Sequence, residues 1–179
     1  DRYAIESLEN ALDDQKNNRF TNEITPVSYE SKKGGIIEIH EDQQPKKGSA
    51  QKISGLKPAF APDGTVTAAN ASSISDGAAA MVLCSEIYSS KFDLPVRARI
   101  KGYAGHAQEP GWFTTAPIPA TKKLIDKLNW SVGEVDLWEV NEAFAVVPMA
   151  FMQELKVPRE KINVNGGACA LGHPIGASG

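Results

Sequence analysis

The segment 163–179, NVNGGACALGHPIGASG, combines a high density of glycine with one histidine. His173 stands between Gly172 and Pro174, so we place it on a turn and not on a helix face. Glycine lets a backbone approach a ligand closely, and a histidine ring can exchange a proton near neutral pH. The pattern fits a pocket histidine acting as a general base, and it fits a tight turn with a surface histidine equally well.

A second candidate, Asn141, opens the sequence NEAFA directly after an apolar stretch that ends at Val140. In open α/β sheets, functional side chains gather at the carboxyl ends of strands. Asparagine is also a common helix N-cap, and the residues that follow predict a helix over 142–155. Spacing alone favours the cap, and a role in substrate binding stays open.

Small side chains fill a third stretch, VTAANASSISDG over 66–77. Such residues suit a loop that packs against a ligand, and they suit a plain turn equally well. Upstream, the polar segment 41–54 contains Lys46, Lys47 and Lys52. Composition favours a solvated loop there, and a contact with a phosphate-bearing ligand is the alternative.

The elements that must position these residues follow from hydrophobic spacing. Helices are predicted over 3–17 and 119–128, and a hairpin is predicted from the short segments 24–29 and 36–39 around Gly34–Gly35. The first helix is expected to bury Ala4, Ile5, Leu8, Ala11 and Leu12, and the second Leu124, Ile125 and Leu128.

Further apolar runs predict strands over 97–102, 135–140 and 162–165. The run 77–83, GAAAMVL, is predicted to be a buried strand or a short helix, because its periodicity does not separate the two. Strands that alternate with helices beyond residue 97 indicate an α/β fold.

Composition limits the kinds of partner and site. A net charge of -3 argues against a general nucleic-acid binder, and the apolar run 143–152 is too short to span a bilayer. No CxxC or HExxH pattern appears, so we expect no metal site. Two cysteines, Cys84 and Cys169, do not make a disulfide framework; we expect both to be buried in a protein of the cytoplasm or an organelle matrix.

Several segments, in order along the chain, resemble the thiolase family. NVNGGACALGHPIGASG is similar to the thiolase signature around a catalytic histidine, WEVNEAFA to the NEAF motif, and GTVTAANASSISDGAAA to the loop before the C-terminal half. LKPAF and TTAPIPA also match the family pattern. The resemblance implies part of a layered α/β/α/β/α thiolase fold. Its parts would be the loop domain over 1–74, the last strand region of the N-terminal half over 75–94, and most of the C-terminal half over 95–179.

This resemblance also implies a coenzyme-A-dependent acyltransferase that condenses acetyl-CoA, or cleaves 3-ketoacyl-CoA, through a cysteine thioester. By position, His173 matches the histidine that activates the nucleophilic cysteine, and Asn141 matches the asparagine that holds a water in the oxyanion hole. Ser72, Ala68 and Phe60 match positions along the coenzyme A pantetheine. Coenzyme A is then a substrate, no prosthetic group is implied, and the complete enzyme is expected to be a homodimer or homotetramer.

The chain departs from the family pattern at the catalytic thiols. The nucleophilic cysteine of thiolases lies upstream of the matched region, and the second catalytic cysteine, in a CxGGG-type motif, lies downstream. We therefore expect Asp1 and Gly179 to be cuts through a longer protein, and the chain alone to be inactive. The alternatives are a coenzyme-A-binding or interaction domain without catalysis, and a β-ketoacyl-synthase-like enzyme, although the NEAFA sequence favours a thiolase.

Overall fold

The computed structural model describes residues 1–178 and consists of helices joined by long extended segments. Its α-helices are α1 Arg2–Lys16, α2 Ala50–Ile53, α3 Glu86–Lys91, α4 Pro117–Leu128, α5 Val146–Leu155 and α6 Ala168–Leu171. Short 3-10 helices lie at Pro45–Lys47, Pro110–Thr115, Val132–Glu134 and Arg159–Lys161. The strands are β1 Val27–Glu30 and β2 Ile36–Ile39.

The predicted hairpin is confirmed. Strands β1 and β2 pair antiparallel with Val27 opposite Ile39, and they form the one sheet found within residues 1–178. The turn between them closes with the Ser31 amide donating to the Gly35 carbonyl at 3.0 Å. Both faces of the hairpin are largely exposed to solvent.

Helix α1 is also confirmed, but its buried face is rotated from the predicted one. Its buried residues are Tyr3, Ala4, Ser7, Leu8, Ala11 and Asp14. Leu12, expected inside, is 37% exposed, whereas Ser7 is fully buried. Hydrogen bonds from the hydroxyls of Tyr3 and Ser7 to the carboxylate of Glu142 account for this rotation, because they satisfy both polar groups inside the protein.

Two hydrophobic clusters hold the helices. The larger one packs α4 against α5 and consists of Ile118, Val140, Val147, Phe151, Leu155, Val157 and Ile162. The smaller one joins α1, α2 and α6 through Leu8, Ala11, Ile53 and Ala170. Because α6 ends two residues before His173, the smaller cluster fastens the candidate histidine loop to α1.

The strands predicted over 135–140 and 162–165 do not form, so this prediction is wrong. Only a single parallel bridge joins Trp138 and Ile162, with the Asn163 amide donating to the Trp138 carbonyl at 2.9 Å. The ladder stops there because Asn163 adopts a left-handed φ of 46°. Its side chain, and not its backbone, then bonds Val140, donating to the carbonyl and accepting from the amide, both at 2.8 Å.

Segments 77–83 and 97–102 were predicted to be regular elements, but both lack regular secondary structure and are largely exposed. Val82 is 94% exposed and Ile100 is 71% exposed. A strand needs a neighbouring backbone to hydrogen-bond, and neither segment pairs with another within residues 1–178. Cys84 lies beside the first segment and is exposed too, so the prediction that it is buried is wrong.

Candidate active site

Asn141 belongs to a turn that precedes a helix and does not cap that helix. Helix α5 begins only at Val146, four residues later than the predicted start, and Ala145 occupies the N-cap position. Residues 141–145 instead run beside 70–72. The Ser72 amide donates to the Ala143 carbonyl at 3.1 Å, and the Ala145 amide donates to the Asn70 carbonyl at 2.9 Å. The cap interpretation of Asn141 is therefore wrong.

His173 lies on the loop that follows α6, just before the turn at 175–177, and the small-residue segment 66–77 holds it there. Its amide donates to the Ser73 carbonyl at 2.9 Å. The preceding Gly172 has φ +91°, and a Cβ there would overlap the Ser75 hydroxyl, so the close approach of the two loops requires glycine. The Nδ1 atom of His173 is shielded from solvent and has no hydrogen-bond partner within residues 1–178. The half-buried ring is thus not that of a surface histidine.

The two loops bring Asn141 and His173 together across 32 residues of sequence. The Asn141 Nδ2 atom lies 3.3 Å from His173 Nε2. An amide and a protonated ring nitrogen at this separation can both donate to one oxygen atom about 3 Å from each, as the donors of an oxyanion hole do. In the free pair the amide donates to Nε2, so that nitrogen carries a lone pair that can accept a proton.

The three residues matched to the pantetheine site differ in burial and in their contacts with the turn that contains Asn141. Ser72 is half-buried, and its hydroxyl donates to the carbonyl of Ala143, two residues after Asn141, at 3.1 Å. Phe60 is 82% exposed and Ala68 is exposed. The structure therefore places Ser72 beside residues 141–145, here called the NEAF turn, and leaves Phe60 and Ala68 on exposed loop surface.

Neither cysteine is arranged as a nucleophile. No hydrogen bond joins Cys84 or Cys169 to His173 in the part of the chain that the structure describes. The Cys169 thiol is half-buried, with its Sγ atom 3.8 Å from the Glu142 carbonyl oxygen. Burial, and then the negative charge of Glu142, raise the pKa of the Cys169 thiol, which stays protonated.

Sequence reasoning missed Glu142, which lies next to Asn141 and is fully buried. Its carboxylate accepts hydrogen bonds from Tyr3, Ser7, Asn163 and the Cys169 amide. A glutamate at the start of a predicted helix is ordinarily solvent-facing. The signal that could have found it is its position between the candidate Asn141 and the apolar residues that follow.

Residues 1–178 contain neither a metal-binding cluster nor a membrane-spanning helix. No group of three or more histidine, cysteine or acidic side chains in this range is placed to hold a metal ion. Among the helices described, none has both the length and the apolar character needed to cross a bilayer.

Comparisons with known proteins identify the family. Residues 1–87 match the model described as thiolase, N-terminal domain, and residues 94–179 match the model described as thiolase, C-terminal domain. The whole chain is 47% identical to a probable acetyl-CoA acetyltransferase of Dictyostelium discoideum and covers 43% of it. It is 45% identical to an acetyl-CoA acetyltransferase of Yarrowia lipolytica, again over the whole chain, and covers 45% of that protein.

Solved structures agree with the sequence comparisons. The crystal structure of the Bacillus anthracis acetyl-CoA acetyltransferase matches 99% of this chain with a TM-score of 0.94 and 39% identity. The Acat5 thiolase of Ascaris suum, solved in complex with coenzyme A, matches 99% with a TM-score of 0.92 and 42% identity. The chain covers 45% of each of these two structures, so it has part of a thiolase fold. The match of its two halves, in order, to the two thiolase domain models shows that the chain belongs to the thiolase family.

Proposed function

We propose that this chain supplies the oxyanion-binding and proton-transfer side of an acyl-CoA acyltransferase. The reaction is the thiolase reaction, reversible condensation of acetyl-CoA or thiolysis of 3-ketoacyl-CoA through a cysteine thioester. The observation that carries the proposal is the 3.3 Å approach of the Asn141 amide to His173 Nε2. The names of the relatives support the reaction class, and the coenzyme A bound to the Ascaris suum thiolase supports the substrate class.

The chemistry of the pair follows from its geometry. His173 Nε2 takes the proton of a cysteine thiol, and the thiolate attacks the thioester carbonyl carbon. The carbonyl π electrons move to the oxygen, which then receives hydrogen bonds from protonated Nε2 and from the Asn141 amide, directly or through a water. Loss of one such donor costs about 3–4 kcal/mol of transition-state stabilisation. When the carbonyl re-forms, the coenzyme A sulfur leaves and accepts the proton that His173 took from the cysteine. The acyl group then remains on the cysteine as a thioester.

The nucleophilic thiol in this proposal lies outside residues 1–179. Within residues 1–178 no hydrogen bond joins Cys84 to His173, and Cys169 is half-buried, with a raised thiol pKa and a hydrogen bond to the Glu142 carbonyl. Acetoacetyl-CoA thiolysis by the complete protein that carries this chain, followed by peptide mass mapping of the acylated residue, tests the proposal. We expect turnover, acylation of a cysteine other than these two, and no turnover by residues 1–179 alone. Coenzyme A binding without turnover would contradict it and favour a non-catalytic binding domain.

The coenzyme is proposed to lie along Ser72, Ala68 and Phe60. Residues 1–74 would form the loop domain on the coenzyme side, 75–94 the last segment of the N-terminal half, and 95–179 the C-terminal half. The 82% exposure of Phe60 supports this placement, because an apolar ring in solvent gains by covering a pantetheine chain. The phosphates would then reach the basic segment 46–57, which includes α2.

Lysine substitutions test where the phosphates bind. Lys47→Gln and Lys52→Gln are expected to raise the Michaelis constant for acyl-CoA and leave turnover at saturation unchanged, because the lost contacts act on ground and transition states alike. The effect should shrink with added salt, since exposed charges are screened within about 8–10 Å at physiological ionic strength. Lys46→Gln is the matched control with a smaller effect, because Glu41 already pairs with Lys46 at 2.5 Å. Equal Michaelis constants at low salt for all three variants and the wild type would show that these lysines do not bind the phosphates. The segment 46–57 would then be a solvated surface.

A further inference from the structure

Glu142 is a fully buried acidic residue next to Asn141 in the sequence, and hydrogen-bond donors surround its carboxylate. Its Oε1 atom accepts from the Tyr3 hydroxyl at 2.8 Å and from Asn163 Nδ2 at 2.9 Å. Its Oε2 atom accepts from the Ser7 hydroxyl at 2.8 Å and from the Cys169 amide at 3.0 Å. Each oxygen therefore receives two hydrogen bonds, and in all four the carboxylate is the acceptor.

These donors come from three separate parts of the chain. Tyr3 and Ser7 lie on α1, Asn163 follows the 3-10 helix Arg159–Lys161, and the Cys169 amide belongs to α6. The Glu142 side chain thus joins the NEAF turn, by hydrogen bonds, to all three parts of the chain. Gly167 makes this contact possible, because a Cβ there would overlap the carboxylate. Movement of Glu142 would release every one of these attachments at once.

These hydrogen bonds fix the backbone just before Asn141 and the backbone of the loop that leads to His173. Before Asn141, Val140 is held by the Asn163 side chain through both its amide and its carbonyl. Before His173, the Cys169 amide is held by Glu142, and the Gly167 amide donates to the Ser7 hydroxyl at 3.1 Å. The relative position of the two catalytic candidates therefore depends on a network with the Glu142 carboxylate at its centre.

The network requires an acceptor and not merely a polar group. All four partners of Glu142 donate to it, and two of them, Asn163 Nδ2 and the Cys169 amide, can only donate. A glutamine in its place would turn its NH2 group toward one of these two donors in either orientation of the amide. Burial, and then the charge of Glu142, raise the pKa of the Tyr3 phenol, which keeps its proton and remains a donor. An isosteric amide would therefore lose at least one of the four hydrogen bonds and set two donors against each other.

We propose that Glu142 is a positioning residue, whose buried carboxylate sets the distance between Asn141 and His173 by joining the NEAF turn to the glycine-rich loop. This proposal rests on the thiolase reaction proposed above. Glu142 does not touch the reacting atoms. It acts through the backbone of its neighbour Asn141 and through that of the loop ahead of His173. Such supporting contacts keep catalytic groups within about 0.5 Å of their productive positions.

The test is Glu142→Gln in the complete protein that carries this chain, with Glu139→Gln as the matched control. Glu139 lies three residues away, is exposed to solvent and makes no hydrogen bond to the network within residues 1–178. Burial, and then the like charge of Glu142, raise the pKa of Glu139, so Glu139→Gln removes a nearby negative charge and leaves every hydrogen bond of Glu142 in place. For Glu142→Gln we expect turnover to fall roughly 100-fold, as a misplacement of about 1 Å would produce, with little change in the Michaelis constant. The ring nitrogen NMR signals of His173 should shift in this variant and stay unchanged in Glu139→Gln. Thermal unfolding must confirm that both variants are folded at the assay temperature.

The outcomes separate positioning from mere stability. A folded Glu142→Gln protein with wild-type turnover and unchanged His173 signals would overturn the proposal, whatever its melting temperature. If Glu142→Gln does not fold, Ser7→Ala decides, because it removes one donor and the link to the Gly167 amide while the carboxylate stays. It should lower turnover and shift the His173 signals, and unchanged values would again overturn the proposal. If the wild-type protein lacks thiolase activity, the proposed function fails, and the His173 signals still test the positioning role.

Discussion

Replacing His173 with alanine is expected to abolish acyl-enzyme formation in the complete protein. The change removes the base that takes the thiol proton and also one donor of the oxyanion hole, so the rate should fall by at least about a thousand-fold. Rapid quenching with labelled acetyl-CoA measures this step directly. Stability should change little, because the alanine backbone still donates to the Ser73 carbonyl and the ring bonds only Asn141 within residues 1–178.

The matched control for this prediction is His106→Ala. That ring lies on another segment, where its Nε2 atom is 3.0 Å from Gln108 Oε1 and its Nδ1 atom is 3.3 Å from Lys123 Nζ. We expect the control to form acyl-enzyme at the wild-type rate. Normal trapping of label by the His173 variant would show that another group activates the nucleophile.

Replacing Asn141 with alanine is expected to lower turnover about 100- to 1,000-fold, which is the usual loss for one oxyanion-hole donor. Stability should be nearly unchanged, because Asn141 is exposed and Ala145 holds the N-cap position of α5. A lost N-cap would instead cost about 1 kcal/mol of unfolding free energy. Steady-state kinetics and chemical denaturation on the same variant measure both quantities.

Asn141→Asp sharpens this second prediction. Aspartate has nearly the same shape, but its charge would repel the negative oxygen that develops in the transition state. It should therefore lower turnover further than alanine does. A variant pair in which both proteins lose stability but keep wild-type turnover would exclude Asn141 from the oxyanion hole.

Local signals in the sequence predicted those elements whose stabilising contacts are themselves local. Helices α1 and α4 and the hairpin β1–β2 appear as expected, because helical periodicity and a glycine turn specify them within a few residues. The segments 77–83 and 97–102 failed for the opposite reason. Their apolar composition is that of buried strands, but a strand depends on a partner that its own sequence does not identify, and neither has one within residues 1–178.

The candidate site was predicted in part. The glycine-rich loop and the NEAFA segment pointed to His173 and Asn141, and the structure places their side chains 3.3 Å apart. Spacing did not reveal the late start of α5, because the apolar run gives no sign of where the turn ends and the helix begins. The role of Glu142 could not be predicted from the sequence either. Its partners Tyr3 and Ser7 lie 139 and 135 residues away, so no periodicity could connect them.

A crystal structure of the complete protein with a bound acyl-CoA or a non-hydrolysable analogue tests the central claim most directly. The claim is that Asn141 and His173 form the oxyanion hole of an acyl-transfer site. We expect the thioester oxygen about 3 Å from His173 Nε2, with the Asn141 amide reaching it directly or through one ordered water. A thioester bound elsewhere, with the Asn141 amide still 3.3 Å from His173 Nε2, would contradict the claim.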